Sequence, residues 1–226
     1  MRRWAIVVLT GLVLSLGAVP SVPARELTAE EIIDRVEEAA RAESQIMLQR
    51  MSIINKAGQV RTRELKIWSA GTKKTLIRVL GPADVKGTGF LTVDRDMWLY
   101  LPAVGKVRRI ASHMKKGSFL GSDFSYEDIG VASYKEDYKP KLLGTENVGG
   151  QAAYVLELSP VGADVTYGKL KLWAEKETFV LRRVEFYDRR GALLKVLTTS
   201  DVERVGRHYV ARKLVMENVA EQHRTV

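Results

Sequence analysis

The chain of 226 residues has no cysteine. Disulfides are excluded, so stability has to come from a hydrophobic core, and no thiol is present to carry a lipid at the end of a leader. Histidine is nearly as scarce: His113, His208 and His223 stand far apart, in no metal-ligand spacing. Without thiolates a zinc site would need carboxylates that nothing in the sequence arranges, so no metal and no cofactor is expected. Linker-like composition, internal repeats and low-complexity runs are also missing, and residues 25–226 read as one domain. The apolar run over residues 5–19 is shorter than the roughly 20 residues that span a bilayer, and Pro20 and Pro23 follow it.

What does stand at the N-terminus is a basic start, Arg2-Arg3, a short apolar stretch and the small-residue site Val22-Pro23-Ala24. That combination predicts a secretory signal peptide over 1–24, cut after Ala24, and a periplasmic mature protein. Hydrophobic residues at 46% exclude wholesale disorder, while a mean hydropathy of −0.12 excludes a polytopic membrane protein. The net charge is +9, of which Arg2 and Arg3 supply two and leave +7 after cleavage. Cytoplasmic chains of this charge would suggest nucleic acid; export removes that partner and leaves transient contact with an anionic membrane surface.

The search for catalytic chemistry comes back empty. Ser118 and Ser122 lie near His113 and Asp123, but Gly117-Ser118-Phe119-Leu120-Gly121 lacks the strand-turn-helix context of a nucleophile elbow, and turn-forming is the favoured role. Asp123, Glu127 and Asp128 invite an acid–base reading. Capping explains them better, with Ser122 or Asp123 as the N-cap and Tyr126-Glu127-Asp128 in the first turn of a short helix. A hydrolase using Ser118 or Ser122 stays as a minor alternative, and the protein is read as not an enzyme.

The pattern along the mature chain is clearer. Thr28 and Glu31 form a capping box ahead of Ile32, Ile33, Val36, Ala39 and Ala40, so a helix is expected up to Ala42. From residue 45 the period changes to two. Strands are expected over 45–55, 59–69, 73–80, 89–93, 97–101, 106–110, 138–146, 152–159, 169–174, 180–187, 193–202 and 209–216, with residues 221–226 polar and frayed. About a dozen strands in near-meander order make one large antiparallel sheet, which curls because twist accumulates. Apolar pairs such as Leu99/Leu101, Leu156/Leu158 and Leu170/Leu172 mark its inner face. One short helix and the loop over 112–134 are too little cover. The sheet either closes on itself or leaves a hydrophobic cavity.

Two stretches carry a family resemblance. Met97-Trp98-Leu99-Tyr100-Leu101-Pro102-Ala103-Val104-Gly105-Lys106-Val107-Arg108-Arg109-Ile110, followed by Gly121-Ser122-Asp123-Phe124-Ser125-Tyr126-Glu127-Asp128, resembles the outer-membrane lipoprotein-sorting proteins, relatives of the periplasmic carrier LolA. The resemblance implies an unclosed, strongly curved half-barrel with helices over its mouth, a hydrophobic cavity, and acyl chains of lipoproteins or lipids as cargo. An inner-membrane transporter would be the donor and an outer-membrane acceptor the destination, the carrier itself being a monomer. Cavity contacts are expected from Ile33, Val36, Leu99, Leu101, Leu156, Leu158, Leu170 and Leu172. Phe119, Leu120, Phe124 and Tyr126 would form the lid and Arg108 and Arg109 a basic rim. The alternative is a periplasmic sensor whose half-barrel binds lipid or a membrane-anchored regulatory protein.

Overall fold

Turn chemistry sets the strands. Asn55 Oδ1 accepts from the backbone N–H groups of Ala57 and Gln59 at 3.0 and 2.9 Å, and Asp188 Oδ1 does the same for Arg190 and Ala192 at 2.8 Å. Gly149 and Gly150 both take left-handed φ values, +60° and +84°, which a two-residue hairpin turn requires and a side chain resists. The computed structural model describes residues 25–71, 73–130, 133–162 and 165–226. The expected leader lies outside the described residues.

The helix α1 (Ala29–Ala39) opens on the expected Thr28/Glu31 capping box and ends one turn earlier than Ala42. Six strands follow: β1 (Ser44–Ile54), β2 (Val60–Ala70), β3 (Lys74–Gly81), β4 (Gly89–Val93), β5 (Asp96–Leu101) and β6 (Lys106–Arg109). A connecting segment carries the one-turn helices α2 (Tyr126–Ile129) and α3 (Tyr134–Asp137). Then come β7 (Tyr138–Val148), β8 (Gln151–Pro160), β9 (Lys169–Glu175), β10 (Leu181–Tyr187), β11 (Leu193–Val205), β12 (His208–Asn218) and β13 (His223–Thr225).

All thirteen strands join one antiparallel sheet in the order β6-β5-β4-β3-β2-β1-β13-β12-β11-β10-β9-β8-β7. Strongly curved and not closed, it is a half-barrel. The near-meander order holds with one break: β6 and β7 lie at opposite edges, and a six-stranded meander, β1 to β6, meets a seven-stranded one, β7 to β13, where β1 pairs with β13. One correction follows. The C-terminal segment is not frayed. It supplies β13, between β1 and β12, and Val226 exchanges backbone hydrogen bonds with Ser52 at 2.8 and 2.9 Å. Thr225 is fully buried at this seam.

The inner face carries two apolar clusters. One joins Ile32, Ile33 and Val36 of α1 to Leu156, Leu158, Leu170, Leu172 and Val184; the other joins Leu65, Ile67, Ile77, Phe90 and Met97 to Ile110 and Phe119 of the connecting segment. Each half of the trough therefore has its own cover. Phe124 packs against both clusters and links them.

Candidate functional site

The connecting segment must cross the whole inner face, because its two ends belong to opposite edges of the sheet. It is held along the way. Phe119, 1% exposed, packs its ring 4.7 Å from Phe90, with Tyr126 edge-on at 6.0 Å. The Asp123 N–H donates to Thr225 Oγ1 at 3.0 Å, and that hydroxyl donates to Asp123 Oδ2 at 2.6 Å, tying the segment to the central strand. The N-cap of α2 is Ser125, with Asp128 completing a capping box, and not Ser122 or Asp123. The reason is local: Ser118 and Ser122 donate to the carbonyls of Ser122 and Phe119, closing the preceding loop.

Asp128 does more than cap. Its carboxylate also accepts from the Tyr167 hydroxyl at 2.7 Å and from Lys195 Nζ on β11, an ion pair whose side chains are 5% and 11% exposed. Glu127 accepts from the Thr166 hydroxyl. The acids of this stretch are structural ties between cover and sheet. No group of three or more His, Asp or Glu positioned to hold a metal occurs among the described residues.

With both halves of the trough filled, open space is found at one end, where α1 stops. A cavity of about 810 Å³ lies there, with an apolar floor of Val36, Ala39, Tyr134, Phe179, Val180 and Leu181. Its rim is charged, with Glu37, Arg41, Lys73, Asp94, Arg95 and Glu136. A second space of about 780 Å³ shares Ala39, Arg41, Phe179 and Tyr209 with it. The volume of either falls in the range of small-molecule and cofactor sites. Phe179 lines both. It holds a left-handed φ of +57°, a costly conformation for a bulky residue, and its ring stacks 6.2 Å from Tyr154 and 5.1 Å from the Arg35 guanidinium.

Across the mouth, Arg95 in the β4–β5 turn donates to Asp137 at 2.7 Å and Glu136 at 3.1 Å on α3, which bridges the two ends of the open sheet. Those hydrogen bonds raise the guanidinium pKa further. Lys135 pairs with Asp34 at 2.6 Å and fastens α3 to α1. Apart from Asp137, whose side chain is 23% exposed, these groups are about half exposed or more, and such pairs are worth about 0–1 kcal/mol each.

Burial pushes the Tyr134 phenol up to about 12, helped by the Asp128 and Glu37 carboxylates. Burial also raises Tyr167 and Tyr138. Between about pH 10 and 12 the folded chain keeps a Tyr134 proton that the unfolded chain, near 10, has lost. The unfolded state then binds fewer protons, so the contribution of Tyr134 to stability is constant up to about pH 10 and declines above it. Urea midpoints measured across this range should show that decline, and Tyr134→Phe should reduce it.

The residues expected to line the cavity are distributed differently among these features. Ile33, Leu156, Leu158, Leu170 and Leu172 are 0–2% exposed in the core under α1, and Val36 reaches the cavity floor. Leu99 packs on the N-terminal cluster, and Leu101 is partly exposed at the end of β5. Phe119, Leu120, Phe124 and Tyr126 all lie in or beside the cover. Arg108 and Arg109 are exposed on the edge strand β6, with Arg109 paired to Asp96, a residue that lines the cavity. Phe179 and Arg95 were missed. The available signal was an aromatic residue directly after the turn at Glu177-Thr178, where polar residues are usual.

Comparison with known proteins bears on this geometry. A family model with the description "-like: Uncharacterized protein" matches residues 71–226. The fold is shared with an outer membrane lipoprotein-sorting protein domain from Vibrio parahaemolyticus at a TM-score of 0.81 and 32% identity, over 87% of this chain and 88% of that one. The chain belongs to the outer membrane lipoprotein-sorting protein family. A DUF1329 family protein from Desulfovibrio piger ATCC 29098 is similar at a TM-score of 0.82 and 32% identity, with 87% and 88% covered. For a LolA superfamily protein from Nitrosomonas europaea the values are 0.74 and 24%, over 88% and 90%, a likeness of fold. No curated protein matches the chain. As a member of the lipoprotein-sorting family, the protein has a carrier-type half-barrel with its cavity at one end. Among the described residues, no helix is long and apolar enough to cross a membrane.

Proposed function

We propose that the protein is a periplasmic carrier that shields acyl chains of lipoproteins or related lipids between the inner and outer membranes, without catalysis. The observation that carries this reading is the cavity at the end of α1, with an apolar floor and a charged rim. Exposing a sixteen-carbon chain to water costs on the order of 12 kcal/mol at about 0.8 per methylene, so transfer through an aqueous compartment calls for such a site.

Magnitudes choose the entrance. Lifting the connecting segment would expose Phe119 and part the buried Asp128–Lys195 pair, each a matter of several kcal/mol. Parting Arg95 from Glu136 and Asp137 costs at most about 1 kcal/mol per pair. Cargo therefore enters past α3 and Phe179, with the segment over 112–130 as a fixed wall. The leucines of β8 and β9 pack in the same cluster as Val36, Phe179 and Leu181 of the cavity and support it from beneath.

Uptake of a fluorescent fatty acid tests the reading. Ala39→Trp, which narrows the cavity, and Leu181→Glu, which charges its floor, should sharply reduce uptake while leaving the melting transition cooperative. Uptake at the parental level in both variants would overturn it, as would the parent's failure to bind any acyl probe.

A further inference from the structure

The outer face of β1–β6 is apolar where a solvated sheet face should be polar. Strand register sets Ile46, Trp68, Leu76, Leu91 and Trp98 side by side on five successive strands, a row about 19 Å long at the usual strand spacing. Leu48 and Val107 extend the patch and are 76% and 63% exposed; Ile46 is 65% exposed. A groove of about 440 Å³ runs among Leu76, Leu91, Trp98 and Tyr100. Core packing does not account for the row, because the adjacent inner-face residues Ile67, Ile77 and Phe90 already supply the core.

The charges around the patch identify what covers it. Arg50, Lys66, Lys74, Arg78 and Arg109 share this face with two acids, Glu64 and Asp96, which pair with Arg50 and Arg109. Lys66 lies over the Trp68 ring at 4.9 Å. Lys74 and Arg78 have no acidic partner among the described residues. A second copy seated on the face by a two-fold axis would set these cations against one another, which disfavours a dimer. Indole and phenol rings beside long basic side chains suit a bilayer interface, where rings sit at headgroup level and cations reach lipid phosphates.

We propose that the outer face of β1–β6 docks the protein on an anionic phospholipid bilayer. The row from Ile46 to Trp98 meets the hydrocarbon boundary, and Lys66, Lys74 and Arg78 meet the headgroups. Leu76 and Leu91 lie three residues along their strands from Lys73 and Asp94 of the cavity rim, about 10 Å. Docking this way holds the mouth beside the membrane. The proposal does not depend on the cargo: failure of acyl-chain uptake leaves it standing.

A chain without cysteine allows a clean test. Leu76→Cys and, as a control on the outer face of the other half, Ser159→Cys are labelled with an environment-sensitive fluorophore in the full chain. They are mixed with vesicles of phosphatidylethanolamine and phosphatidylglycerol, or of phosphatidylcholine alone. The label at position 76 should brighten several-fold and shift to the blue on the anionic vesicles only, and the label at 159 should not respond. Lys74→Gln with Arg78→Gln should weaken vesicle binding about 30-fold, at roughly 1 kcal/mol per charge. Equal responses at 76 and 159, no response at 76, or unchanged binding of the neutralised variant would overturn the proposal. A concentration-dependent blue shift at 76 without vesicles would do so too, and would assign the face to a second copy.

Discussion

Lys195→Met is expected to lower the unfolding free energy by about 3–5 kcal/mol, because it strands the Asp128 carboxylate inside the half-barrel. The pair is 11% and 5% exposed at its side chains. Lys195 Nζ also lies 5.2 Å from the Tyr167 ring and 5.4 Å from that of Phe186, so the cation is surrounded by protein. The cost arises mostly from the abandoned anion. Lys195→Met combined with Asp128→Asn should therefore recover much of the loss, since no buried charge remains and the amide can still accept from Tyr167 or Ser125. Chemical denaturation of the two single variants and the double variant gives the coupling. If the single and double variants lost equal stability, the ion pair would not be what ties cover to sheet.

Phe119→Ala should cost a similar amount, about 3–5 kcal/mol, by a different route. Its ring is 1% exposed and fills the space between Phe90 and Tyr126, where the neighbouring strands cannot close in. Leu120, next in sequence, holds a left-handed φ of +54°, so the loop is shaped to drive the Phe119 ring inward. The two substitutions probe opposite ends of the crossing: Phe119 fastens it to the N-terminal meander, Lys195 to the C-terminal one. If the cover is a fixed wall, both variants lose stability while the acyl-chain affinity of the folded fraction stays close to that of the parent. A large drop in affinity at full folding would instead make the cover part of the gate.

The charge pattern relates the two proposals. The mouth mixes acids and bases that largely neutralise each other, whereas the outer face of β1–β6 keeps Lys74 and Arg78 without acidic partners among the described residues. Membrane attraction and cargo binding are thus assigned to different surfaces. Salt should weaken the first far more than the second.

Local rules were enough for most elements. Period-two alternation between polar turns placed twelve strands, and the Thr28/Glu31 capping box placed the start of α1, because both signals lie within a few residues of the atoms they organise. The inner face followed from the same alternation: Leu99, Leu156, Leu158, Leu170 and Leu172 all face the core. The motif from Gly121 to Asp128 was visible as a motif, but its purpose was not. Asp123 finds Thr225 and Asp128 finds Lys195, 102 and 67 residues away, and no local pattern announces such partners.

Near-meander order was legible, because sequential strands normally pair, but its one break was not: β6 and β7 separate to opposite edges and a three-residue strand, with charged and polar side chains, fills the centre. Its pairing energy comes from β1 and β12, so its own composition carries no strand signal. The sequence by itself determined most of the elements, the alternation of apolar and polar faces along them and the absence of thiol chemistry. Tertiary structure alone decided where the cavity lies. α1 and the connecting segment fill most of the trough, and the room left over depends on where those covers end.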